Sequence, residues 1–434
     1  MLCRLWKALA VTAGLSVATV ASAQPVGMAP PGFSPQGMPG MPPMPGMGDF
    51  AGPPPGQEIN PDLLDSTRAL GPTEDFRRFW FTGEYIFAGV SSATLPTLVT
   101  RGPLASGGML GALGTQAAFG GTQDFGGISG FRFGGGFWID GCRAFGLEWG
   151  VTFLPEQTRS FSSNGSGSDV LARPFFDTVL QTQNSRLIAA PGQFIGSVDA
   201  NYSSYFWNAD LGAVMRVYES SNWSLEHTIG ARYFSLEDRL RITDNTRALP
   251  GGTLYYRGAP VFSPDASVSV MDYYSMINRW YGGAAGLRLN FSPGRFTGSV
   301  AFRLGVGANL QSLSTDGITT LTGTPAGTLR TSPGLSTAAT SPGNYTRTQL
   351  SYAPELMLRG GYAITDRLSV NVGYQFLTIT NMARVADQFN SNVNPGSIPS
   401  SQLFNLNATT NRNVQIQQSD FTLHGFTAGL SLTF

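Results

Sequence analysis

From Phe79 onward, apolar and aromatic residues fall on alternate positions in ten segments, the period of two that belongs to β-strands. The segments run over 79–90, 128–139, 145–154, 202–218, 223–238, 274–291, 296–312, 349–364, 367–380 and 421–434. In 145–154, Phe145, Leu147, Trp149, Val151 and Phe153 share one face, opposite Gly146, Glu148, Gly150 and Thr152. In 296–312, Phe296, Val300, Phe302, Leu304, Val306 and Leu310 oppose Thr297, Ser299, Arg303, Asn309 and Gln311. The connections alternate as regularly as the residues do. Long ones (91–127, 155–201, 239–273, 313–348, 381–420) take turns with short ones (140–144, 219–222, 292–295, 365–366). The short ones hold Asp140-Gly141, Ser221-Asn222, Pro293-Gly294 and Thr365-Asp366, pairs that form tight turns. The expected fold is all-β: a closed antiparallel transmembrane β-barrel of about ten strands (ten to twelve), with long external loops and short periplasmic turns.

Two aromatic girdles are expected at the membrane–water interfaces. Trp80, Trp138, Trp223, Phe291 and Phe296 sit at the short-turn ends; Phe131, Phe133, Phe153, Tyr205, Trp207 and Tyr233 sit toward the other rim. The chain ends on Phe434, preceded at alternate positions by Leu432, Leu430, Ala428 and Phe426. That ending is similar to the C-terminal signal that barrel assembly machinery recognises, so Phe426, Leu430, Leu432 and Phe434 are the expected assembly signal.

The first residues read as an export signal. Arg4 and Lys7 precede an apolar run from Ala8 to Val20, followed by Ala21-Ser22-Ala23. Residues 1–23 are the expected signal peptide, and no later stretch reaches 18 consecutive apolar residues. Residues 24–57 are rich in Pro, Gly and Met with no hydrophobic period, the composition of a tether; 61–76 carry a short helical pattern. The expected organisation is therefore signal 1–23, tether with a short helix 24–78, and barrel 79–434. Met38, Met41, Met44 and Met47 recur every third residue, but no Cys or His accompanies them as a soft-metal site would require, and spacer is the simpler reading.

Composition agrees. Only 12% of residues are charged, against roughly 25% in average proteins, while Gly contributes 55 and Phe 29. Taking Arg4 and Lys7 from 27 cationic residues leaves 25 arginines against 27 acids in the mature chain, a net of −2. No basic run resembles a nucleic-acid footprint.

If aromatic and aliphatic side chains face lipid, their strand neighbours face inward. By that parity the lumen is lined by Glu84, Arg132, Glu148, Asp210, Arg216, Glu226, Arg232, Arg288, Arg303, Glu355 and Arg359. Charges away from bulk water need partners, so these residues should form ion pairs, a wet lining, or both. Ten strands enclose little more than their own side chains, and an open pore and a plugged interior both fit. Arg279 falls on the lipid parity near a rim, and Pro354 is a candidate bulge. His227 and His424 fall on the outward parity too, which removes them as bases for interior catalysis. No catalytic residues are assigned. One Cys and two His do not make a four-ligand zinc site, so neither metal nor cofactor is expected.

The stretches Trp80–Val90 (WFTGEYIFAGV), Leu95–Leu104 (LPTLVTRGPL) and Gly130–Leu154 (GFRFGGGFWIDGCRAFGLEWGVTFL) resemble the putative beta-barrel porin seven family. Weaker echoes run through 208–218, 227–242 and 271–282. The chain departs from the family in having Gly89-Val90 where the first strand often ends in tryptophans. The resemblance spans residues 79–434 and implies a bacterial outer-membrane barrel with a porin role.

Two functions are expected from this. The first is a porin that passes small polar solutes by diffusion through an Arg/Glu-lined lumen. The alternative is a plugged structural or surface-binding barrel that acts through its long external loops. Both place the chain in outer-membrane lipid, and neither makes it an enzyme.

Overall fold

The computed structural model describes residues 78–408 and 414–434. The expected signal peptide, and the tether apart from Arg78, lie outside the described residues. In chain order the strands are β1 (Phe79–Val90), β2 (Ala93–Gly102), β3 (Gln116–Gln123), β4 (Ile128–Trp138), β5 (Phe145–Gly165), β6 (Val170–Asp177), β7 (Thr182–Ala189), β8 (Phe194–Glu219) and β9 (Trp223–Ala248). They continue as β10 (Leu254–Tyr256), β11 (Ala259–Val261), β12 (Ser267–Phe291), β13 (Phe296–Thr324), β14 (Gly327–Thr331), β15 (Gly343–Ala363), β16 (Leu368–Met382), β17 (Asn392–Val393) and β18 (Ser419–Thr433). Two single turns of helix, α1 (Thr337–Thr340) and α2 (Val385–Gln388), lie in long connections.

The ten segments seen in the alternation are β1, β4, β5, β8, β9, β12, β13, β15, β16 and β18. They pair antiparallel in that order, and the ladder returns to its start. β1 meets β18 from Trp80 opposite Thr433 to Val90 opposite Leu423. Phe79 and Phe434 exchange backbone hydrogen bonds of 2.8 and 2.9 Å at the seam. The result is a ring of ten strands. The register through Pro354 runs unbroken, with Leu304 opposite it, so the expected bulge is absent. Pairing between β15 and β16 begins only at Glu355, so proline sits where its missing N–H takes nothing from that ladder.

Several strands run far past the ten or so residues that cross a bilayer: β8 and β9 have 26 residues each and β13 has 29. The alternation continues along them with its meaning reversed. On β9, Trp223 and Ile229 face outward in the lower part; higher up, Leu236, Leu240 and Ile242 face inward and are fully buried while Arg239 is exposed. The change of sides falls at one level around the wall. Phe153 is outward and Leu154 inward; Tyr281 is outward and Trp280 inward; Leu310 is outward and Leu313 inward. An apolar outer face suits lipid, and an apolar inner face suits a water-soluble wall with a core of its own.

That core is filled by the long connections. β17, β6, β2 and β3 form one sheet in this order, with β7 also on β6. Leu95, Leu98, Val99, Leu171, Ile188 and Val385 from the connections pack with Val198, Tyr202, Leu240, Ile242, Tyr274 and Met276 of the wall. The loops are a folded cap.

Candidate functional site

The inward side chains of the ring form two layers. In the lower layer all eleven charged residues predicted from parity come together, and each is within ion-pair range of an opposite charge. Arg359 Nη2 lies 2.8 Å from Glu84 Oε1, and Arg132 Nε lies 4.0 Å from Glu84 Oε2. Glu355 Oε2 sits 3.0 Å from Arg232 Nη2 and 3.1 Å from Arg303 Nε, and Gln375 donates to its other oxygen at 2.6 Å. Arg303 reaches Asp210 at 2.9 Å. Arg288 bridges Glu148 at 2.7 Å and Glu226 at 3.3 Å. Arg216 reaches Glu226 at 3.4 Å and Glu219 at 2.7 Å. Ion pairs with little water contact hold only when geometry and extra hydrogen bonds offset desolvation. Gln375 and Met357, which parity reasoning missed because they are uncharged, supply such contacts: Arg132 Nη2 lies 2.8 Å from Met357 Sδ.

Two of the five predicted belt residues face the other way. Trp80 and Trp138 share the inward parity of Thr82 and Glu84, and their rings lie 5.4 Å apart inside the ring. Arg216 stacks on Trp138 at 4.8 Å. The space comes from glycine: a side chain at Gly136 would collide with Trp80, and one at Gly146 with Trp138. The cross-strand partner of Trp80 is Gly136, and that pairing was the available signal. Trp223, Phe291 and Phe296 do face outward, joined by Phe79, Phe81, Phe137, Tyr218, Tyr362 and Phe434. The C-terminal Phe426, Leu430, Leu432 and Phe434 are all exposed on the outer face. Arg279 and His424 also point outward.

Above the charges lies an apolar layer. Ile86, Leu154, Phe206, Phe234, Trp280, Leu377 and Phe421 meet across the ring. Ring centroids are 5.0 Å apart for Phe206–Phe421 and for Phe234–Trp280. Trp280 lies over Gly282, Gly305 and Gly307, where added side chains would strike its indole.

Higher still, polar clusters tie the cap to the wall. Arg173 of β6 reaches Asp244 of β9 at 3.0 Å and Asp272 of β12 at 2.5 Å, and Arg186 of β7 reaches Asp244 at 3.0 Å. Asp272 also accepts from Thr337 N at 2.9 Å and Thr337 Oγ1 at 2.6 Å. Burial opposes the charge on Asp272, but Arg173 and the Thr337 donors outweigh it and hold the carboxyl below its usual range. Arg384 pairs with Asp238 and donates to Tyr202 Oη at 3.0 Å. Burial, then the Asp238 carboxylate, pushes the Tyr202 phenol up. Sequence reasoning missed these residues. Their signal was a lone arginine within apolar VLARPFF (170–176) and ARVA (383–386), facing acids at inward positions of β9 and β12.

Among the described residues, no group of three or more His, Cys, Asp or Glu is arranged to hold a metal ion, and no helix is long and apolar enough to cross a membrane.

A ring of antiparallel strands, greasy outside and ion-paired within, matches the architecture of outer-membrane β-barrels. Residues 80–434 match the family described as Putative beta barrel porin-7, and the chain belongs to that family. No curated protein matches. Solved structures to which the chain shows similarity include the outer membrane protease OmpT from Escherichia coli, at 11% identity over 85% of this chain and 100% of that one, TM-score 0.40. A Pseudomonas aeruginosa FadL homologue is 8% identical over 83% of this chain and 90% of that one, TM-score 0.25. The Pseudomonas putida toluene transporter TodX is 8% identical over 86% and 93%, TM-score 0.22. Likeness at this level carries no activity across.

Proposed function

We propose that this chain is an outer-membrane barrel whose interior is occluded and which acts through its folded external cap. Three features support the membrane placement. The outward face of the lower ring is apolar, with Leu211, Leu287, Phe302 and Val372 more than half exposed. Aromatic residues gather at its short-turn end, and the last strand ends in four outward apolar residues suited to the assembly machinery. The short turns then lie in the periplasm and the cap outside the cell.

Occlusion rests on one observation. Ile86, Phe234, Leu236, Trp280 and Phe421 have no solvent-accessible surface, although they come from different sides of the ring. A water-filled channel leaves accessible surface on the residues it passes. The Arg/Glu layer below is wet on its periplasmic side only as far as this apolar floor. Passive diffusion of small polar solutes takes its support from the family; the packing supports the plugged alternative. Catalysis has no place in this reading, since both imidazoles sit on the outward parity.

The test is conductance of the purified full chain in planar bilayers. Silence across a wide voltage range is expected. Steady unitary steps would overturn occlusion and return the reading to a diffusion pore.

A further inference from the structure

Below the apolar floor, the charged layer encloses a cavity of about 190 Å³. That is room for several waters or one small ion. Four arginines line it, Arg132, Arg288, Arg303 and Arg359, against three acids, Glu84, Glu148 and Asp210. The acids are each engaged at short range by another arginine: Glu84 by Arg359 at 2.8 Å, Glu148 by Arg288 at 2.7 Å, Asp210 by Arg303 at 2.9 Å. Arg132 is left over. Its closest carboxylate is the already paired Glu84, at 4.0 Å. Its other contacts are the thioether of Met357 at 2.8 Å, a weak acceptor, and Gln375 Oε1 at a long 3.4 Å.

The cavity exists because inward positions on its periplasmic side are small: Thr82, Gly134, Gly150, Ser299 and Ala301. A side chain added at Gly134 would meet no side chain, only backbone, with the Trp149 carbonyl closest at 3.3 Å. Arg359 retains 35% of its side-chain exposure, so this end is wet.

We infer that the cavity is a binding site for one small oxoanion, a phosphate or a carboxylate, held by Arg132 and Arg359 and entered from the end bearing the short turns. A guanidinium short of close acceptors and room for a few heavy atoms are the features such an anion satisfies. A planar guanidinium fork suits both oxoanions. The inference uses the proposed membrane placement only to say that this end faces the periplasm; it does not depend on occlusion.

The experiment titrates the full chain, folded in detergent, with inorganic phosphate and separately with acetate, following tryptophan emission, because Trp80 lines the cavity. Saturable change is expected with at least one of them. Saturation by acetate alone assigns the site to carboxylates, and saturation by phosphate alone assigns it to phosphate. Arg132→Gln should weaken that binding at least tenfold. Gly134→Val, which adds bulk to the cavity wall and removes no charge, should weaken it as much. Heat-modifiable gel mobility confirms that each variant is folded. No saturation with either anion, or unchanged affinity in both folded variants, overturns the site. A protein that conducts yet binds as expected refutes occlusion and leaves this site standing.

Discussion

Arg173 on the cap and Asp272 on the ring wall lie 2.5 Å apart, and neither has more than 2% of its side chain exposed. Apolar side chains, which fix no register, and the Arg384–Asp238 pair seat the rest of the cap. The Arg173–Asp272 pair, with Asp244 on the neighbouring strand, sets where β6 crosses the wall.

Removing one partner leaves an uncompensated buried charge, which costs about 3–5 kcal/mol. Asp272→Asn and Arg173→Met should therefore loosen the cap while the lower ring survives. Hydrogen exchange should show lost protection over β2, β6 and β7 with protection kept in Phe79–Val90 and Ser419–Thr433. Equal protection everywhere would remove the pair from cap seating.

The same pair predicts an acid limit. The folded carboxyl of Asp272 lies below its unfolded value of about 3.9, so its contribution is complete well above that value. It is lost as pH falls through the folded value, below about 4. Limited proteolysis of external segments should be flat from neutral pH to about 5 and rise under stronger acid. Asp272→Asn should abolish that rise.

Trp280 fills the space over three glycines in the apolar floor. Trp280→Ala should destabilise the ring by about 3–5 kcal/mol, through lost burial and the cavity left behind. Thermal loss of heat-modifiable mobility reads this directly. A shift in midpoint no larger than that of a surface substitution would mean the floor is not packed as described.

Membrane placement is tested by arginine at two heights. Leu287, midway along the apolar band of β12, is 51% exposed, and Phe262, on the cap side, is 85% exposed. Leu287→Arg should cost about 2–4 kcal/mol in bilayers, as charge at the midplane does. Phe262→Arg should cost almost nothing. Equal effects would sink the lipid-facing band.

The charged layer was legible in sequence because strand parity is local. Arg288 and Arg303 needed only an apolar neighbour on each side to be placed inward. Trp80 and Trp138 have the aromatic type of a belt but the parity of the interior; the facing glycines decide the matter, and facing requires knowing which strands pair. Arg173 and Arg384 were invisible as partners of Asp272 and Asp238. Their contacts join positions 99 and 146 residues apart, across connections with no period to follow.

Ten strands, their alternate faces and the two unequal ends were determined by the sequence alone. A strand shows its two sides every second residue, and turn chemistry marks its ends without reference to anything distant. How the interior is packed, and what the long connections become, was decided only by the tertiary structure. Occlusion depends on Phe206, Phe234, Trp280 and Phe421 meeting across the ring, and the cap depends on distant segments burying their apolar faces against the upper wall. Those are through-space matters of volume and charge, and no local pattern encodes them.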